Sequence, residues 1–206
     1  LLAIFGVLLI AALMARGVYY QDRSDVPAWQ VRTAVQQWKR EGVIEPPVME
    51  NLTVDLYRVF GGEYLWFARI LSSLFWVLGG LAIYLLASKL TNADGGITAL
   101  IFYLFQPYGV IESRTFQPDP LMVSLICFSM WTFYTWLQKR NLKWTIIAGL
   151  TSGAAIYIKN VSAFFLAVPY IVLLFRKDLR PVIKDIKVWV LAALALLPAV
   201  IYMIYG

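Results

Sequence analysis

The stretch SRTFQPDPLM, Ser113 to Met122, is a short polar island in which an aspartate stands framed by two prolines between two long apolar runs. A carboxylate at such a place needs a physical reason, because an ionisable group close to hydrocarbon is costly. Whether the flanking runs cross a membrane therefore decides the fold. Of the 206 residues, 61% are hydrophobic and 15% charged, and the mean hydropathy is +0.70. Soluble domains contain roughly 45 to 50% apolar residues, so this composition marks an integral membrane protein. Several runs approach the roughly 20 apolar residues that cross about 30 Å of hydrocarbon. The expected fold class is all-α, a polytopic transmembrane helical bundle.

Working outward from the island gives spans at about 1–15, 64–90, 95–111, 121–137, 145–158, 161–175 and 188–205, with a long loop over 16–63. Pro107 breaks the third span near its far end, and Gly79-Gly80 in the second reads as close helix packing rather than a nucleotide loop. The segments 145–158 and 161–175 are each about 15 residues or shorter and reach only about 22 Å at 1.5 Å per residue. Their corner at Lys159-Asn160 should lie below the membrane surface, where non-helical backbone is tolerated only against protein or a water-filled recess.

The loop 16–63 carries two expected helices. The first begins near Pro27, with Ser24 or Asp25 as caps, and places Ala28, Val31, Val35 and Trp38 on one stripe. The second follows Glu45-Pro46-Pro47 and puts Met49, Leu52, Leu56 and Val59 on an apolar stripe, with Glu50 and Tyr57 pointing the other way. Gly61-Gly62 should end it.

A net charge of +6 and a pI near 9.4 do not indicate nucleic acid here, because the cations concentrate in short loops between apolar runs. Lys89, then Lys139, Arg140 and Lys143, then Arg176, Lys177, Arg180, Lys184 and Lys187 fall on one side, which the positive-inside rule makes cytoplasmic. The long loop, the island and the Lys159 corner share the other side. The chain begins inside one apolar run and stops as another ends, which predicts a piece of a longer protein; a cleaved signal peptide is the rival reading of its start.

There is no histidine and a single cysteine, Cys127, inside an apolar run. Disulfide frameworks, Cys/His zinc sites and histidine acid-base catalysis are thereby excluded, and proton transfer falls to carboxylates. The outer side collects Asp22, Asp25, Glu41, Glu45, Glu50, Asp55, Glu63, Glu112 and Asp119, with Arg69, Arg114 and Lys159 near them in topology. Such a set suits a lipid-borne anionic substrate. A carboxylate takes a proton from an acceptor hydroxyl, two carboxylates hold a divalent cation (Asp25 and Asp119 are the candidate ligands), and recessed cations neutralise a phosphate. Each residue also has a plainer role. Asp22 and Asp25 suit a helix cap or solvated positions, Glu50 a first helical turn, Asp119 a cap before Pro120, and Arg69 a snorkelling helix end. Lys159 has the least escape, because a cation between two short spans has no lipid-facing alternative.

The order of these features resembles the GT-C membrane glycosyltransferases, family 39-type, in particular bacterial relatives of protein O-mannosyltransferases and of the lipid A aminoarabinose transferase. The resemblance covers essentially the whole chain. It is carried by the first span with its long acidic loop, by EPPVMENLTVDLYRVFGGEYLWFARILSS (45–73), by SRTFQPDPLM, and by GLTSGAAIYIKN (149–160). It implies a GT-C-like transmembrane domain over 1–206 and transfer of a sugar from a polyprenyl-phosphate carrier to a lipid, glycan or protein acceptor on the outer face of the plasma (bacterial inner) membrane. An aspartate of the first outer loop would act as base; here that is Asp25 or Asp22, which read DRSD where the family has an Asp-Glu pair. Glu45 stands where the aminoarabinose transferase has a lysine before its two prolines, so that phosphate contact does not carry over. Asp119 and Lys159 match the acid of the second outer loop and the lysine after the fifth span.

The expected activity is therefore an inverting, polyprenyl-phosphate-sugar-dependent glycosyltransferase. Asp25, Asp22 and Asp119 are its catalytic candidates, and Lys159, Arg69, Arg114 and Glu50 its substrate-binding ones. A membrane transporter or lipid scramblase also accounts for intramembrane charge, though it predicts repeated halves that the chain does not show by eye. A noncatalytic membrane subunit predicts that the acids are dispersed in space.

Overall fold

In the computed structural model, residues 46–62, 64, 66–175 and 184–205 are described. They form eight helices and no strand: α1 Val48–Phe60, α2 Trp66–Leu90, α3 Ala93–Phe105, α4 Pro107–Glu112, α5 Asp119–Lys139, α6 Leu142–Ile158, α7 Ser162–Phe175 and α8 Ile186–Tyr205. Each expected span coincides with helix, with shifted ends and with 95–111 divided between α3 and α4, except 1–15, which lies outside the described residues together with the first loop helix. Three helices, α2, α5 and α8 up to Ile204, are long and apolar enough to cross a membrane, and α3, α6 and α7 are shorter apolar helices. The protein is a multi-pass helical membrane protein.

The breaks follow local chemistry. Asn92 caps α3 by accepting from the Gly95 amide at 2.9 Å, and Pro107, which lacks an amide hydrogen, opens α4 after an extended Gln106. Asn141 likewise accepts from the Trp144 amide at 3.0 Å and starts α6 at Leu142, three residues before its first expected apolar position. Gly61 ends α1 in the left-handed region at φ 70°, as the glycine pair predicts.

Helix α5 is the innermost of the long helices and packs against α2, α6 and α7. Its polar residues are glued inward. The Thr132 and Thr151 hydroxyls lie 3.0 Å apart, and Trp136 Nε1 donates to Thr145 Oγ1 at 2.9 Å. The Tyr170 hydroxyl donates to the Ser129 carbonyl at 3.1 Å and lies 2.8 Å from Ser152 Oγ, so one phenol ties α5, α6 and α7. Gly79 lets α2 approach the Ser124 backbone of α5, where an added Cβ would lie 3.1 Å from its Cα; the pair therefore serves packing, as expected. Gly149 and Gly153, four residues apart on α6, give the same closeness to Leu194 of α8.

Contacts pin opposite ends of the bundle. At one end Ser73 Oγ of α2 donates to the Ser113 carbonyl at 2.9 Å. At the other, Lys89 Nζ donates to Thr135 Oγ1 at 2.6 Å and Lys187 Nζ to the Arg140 carbonyl at 2.7 Å. The island and the basic loops therefore lie at different ends.

Burial gives the facing of α1, which its apolar stripe left open. The face of α1 turned into the bundle is Met49, Glu50, Thr53 and Tyr57, whereas Val59 is 77% exposed and Leu52 is exposed too. An apolar stripe beside a bilayer has two apolar media to choose from, so amphipathicity alone does not say which face meets protein.

Candidate functional site

The island is closed by its own side chains and then braced. Gln117 Nε2 donates to the Glu112 carboxylate, Thr115 Oγ1 to the Glu112 carbonyl at 2.9 Å, and Ser113 Oγ to the Val110 carbonyl at 3.0 Å. Phe116 packs onto a cluster of Met49 from α1, Leu121 and Met122 from α5 and Ile158 from α6. Three helices and the island thus meet where the chain delivers Asp119, at the first residue of α5, and Lys159, at the end of α6.

Those two side chains form an ion pair. Lys159 Nζ lies 3.1 Å from Asp119 Oδ1 and 3.3 Å from Oδ2, with the lysine side chain 27% and the aspartate 33% exposed. Asp119 is the first residue of α5, one past the Pro118 N-cap, and its carboxylate is turned to the lysine. Lys159 reaches it because α6 stops there in extended backbone, φ −153° and ψ 116°, and the chain turns directly into α7. An ammonium held by one carboxylate and still partly open to solvent has hydrogen-bonding capacity left for an incoming anion.

The other candidates distribute around this pair. Glu50 is buried, 8% exposed, next to Met49 in the turn of α1 that docks beside Leu121 and Ile158. Arg69 lies one helical turn before Ser73, whose hydroxyl holds the island. Arg114 is within the island, half-buried, with no side-chain hydrogen bond or ion pair among the described residues. Asp22 and Asp25 lie outside the described residues. For the divalent ion, Asp119 has both oxygens on Lys159, and among the described residues no group of three His, Cys, Asp or Glu comes together. The described residues alone do not build a metal cradle, and no step below passes through one.

Sequence reasoning missed the bracing of the site. The Ser73 hydroxyl donates to the Ser113 carbonyl, a contact between the ends of two quoted stretches that neither stretch predicts. Within GLTSGAAIYIKN, Gly149, Ser152 and Gly153 pack α6 against α8 and α7, leaving Lys159 as the member that faces an acid. Their four-residue spacing of small residues was the available signal.

The described residues form a multi-pass helical bundle with a charged pair at one end, and the family match that follows makes it a membrane glycosyltransferase of the GT-C kind. The sequence profile of the dolichyl-phosphate-mannose-protein mannosyltransferase family matches residues 45–205, and the chain belongs to that family. No curated protein and no solved structure is similar enough to the chain to count as a match.

Proposed function

We propose that this glycosyltransferase takes its sugar from a polyprenyl-phosphate carrier and passes it to a lipid, glycan or protein acceptor at the extracytoplasmic face of the bacterial inner membrane, with 1–206 as the N-terminal part of its transmembrane domain. The observation that carries the reading is the Asp119–Lys159 pair, formed by residues 40 apart in sequence at the end of the bundle away from the basic loops. Lipid-phosphate sugars present an anionic phosphodiester at the membrane interface, and a partly open lysine there is a matching charge.

In this mechanism Asp25 or Asp22 takes the acceptor hydroxyl proton. The acceptor oxygen forms a bond to the anomeric carbon as the bond to the carrier phosphate oxygen breaks, and the configuration inverts. The leaving group departs as polyprenyl phosphate, its new negative charge met by Lys159 with Arg69 or Arg114. Fixed cations at a water-poor site stabilise that developing charge more than they do in water. Asp119 holds Lys159 in position, and Glu50 supports the acceptor side from α1.

The test is transfer from a panel of radiolabelled polyprenyl-phosphate sugars by the full-length protein in proteoliposomes. Wild type should label acceptor, and Asp25→Asn, Asp119→Asn and Lys159→Ala should each reduce labelling at least tenfold. Unchanged transfer in all three would remove this site assignment. Carrier or sugar crossing the bilayer without any transfer would favour a transporter.

A further inference from the structure

At the end of the bundle opposite Asp119, two lysines from different helices converge on one indole. Lys139 Nζ of α5 lies 5.3 Å and Lys89 Nζ of α2 6.0 Å from the ring centroid of Trp144. Lys89 also overlies Trp131 at 5.5 Å, and the two indoles meet edge to face at 5.6 Å. The platform is fixed, because the Trp144 amide is held by the Asn141 cap and Lys89 by Thr135. Trp131 Nε1 is buried with no acceptor among the described residues. Neither lysine has a carboxylate within ion-pair distance among the described residues.

Two like charges drawn onto one aromatic surface repel each other, and a cation–π contact is a weak return for that repulsion. An anion between them resolves the conflict. Its chemistry follows from position: the cluster lies at helix ends, where tryptophans and basic residues meet the headgroup layer, and exposed Leu90 and Leu142 flank it with apolar surface. We infer that Lys89, Lys139 and the Trp131–Trp144 pair bind the phosphate headgroup of an anionic membrane phospholipid, which docks at the basic end of the bundle. This site is separate from the sugar-transfer site and does not depend on it.

The experiment uses full-length protein purified in detergent with equal phosphatidylglycerol and phosphatidylcholine, with retained lipids counted by native mass spectrometry. Wild type should retain phosphatidylglycerol preferentially. A basic residue near an anionic headgroup is worth about fivefold in affinity, so Lys89→Gln/Lys139→Gln should lower the preference by about tenfold or more. Lys139→Gln alone removes no hydrogen bond and should lower it about fivefold, which keeps the test open if the double variant does not fold. Lys143→Gln/Lys184→Gln removes equal charge from two lysines that overlie neither Trp131 nor Trp144 and should change the preference less than the Lys139 variant. Equal losses in the two double variants, or no preference in wild type, would overturn the site. Displacement of phosphatidylglycerol by soluble glycerol 1-phosphate would mark a free-phosphate site and overturn the lipid assignment.

Discussion

Asp119 and Lys159 each make the other tolerable. Both are largely removed from water, so deleting one leaves the other an uncompensated charge at the membrane interface. Lys159→Ala and Asp119→Asn should each lower unfolding stability by about 1 to 2 kcal/mol, less than for a fully buried pair because about a third of each side chain remains solvated. The Asp119→Asn/Lys159→Met double variant should lose less than the sum, a coupling that thermal unfolding in detergent would measure. Activity separates the roles: if Lys159 meets the leaving phosphate, Lys159→Ala should reduce kcat/KM by about a hundredfold, and adding the Asp119 change should cost little more. Multiplicative losses would mean that the two residues act independently. Both residues were legible singly, Lys159 from the shortness of its flanking helices and Asp119 from its proline frame. Their partnership was not, because nothing local to either residue encodes a contact 40 positions away.

Among elements, α6 is held on two sides, with Gly149 and Gly153 on α8 and Ser152 on the Tyr170 hydroxyl. Gly153→Leu should displace α8 at Leu194 and lower stability by about 1 to 3 kcal/mol, read as a lower unfolding midpoint, whereas Leu150→Ala on the exposed face should cost well under that. Tyr170→Phe loses one interhelical hydroxyl and should cost about 0.6 kcal/mol, typical of such bonds between membrane helices. Helix existence was readable because long apolar runs bounded by Asn caps, glycines and prolines leave little else for the chain to form. The facing of α1 was not readable: Val59 and Leu52 turn away from the bundle and Glu50 turns into it, since both protein and bilayer accept an apolar stripe. The bond from the Ser73 hydroxyl to the Ser113 carbonyl was hidden for a similar reason, as a hydroxyl in an apolar helix carries no periodic signature.

For the whole molecule, charge and chemistry divide between the two ends of the bundle, with the island, Asp119 and Lys159 at one and Lys89, Arg140 and Lys187 at the other. The orientation proposed above, with the island end extracytoplasmic, rests on the positive-inside rule. Cys127, the single cysteine of residues 1–206, is free and buried, so this part of the protein should give little background with a membrane-impermeant maleimide. Thr115→Cys should label in intact cells, and Lys143→Cys only after permeabilisation; the reverse pattern would invert the topology. The most direct test of the central claim is sugar transfer from polyprenyl phosphate by the reconstituted full-length protein, comparing wild type with Lys159→Ala. Transfer by wild type and a loss of about a hundredfold in the variant, at equal folded protein, is the predicted result. Equal transfer by the two would contradict it.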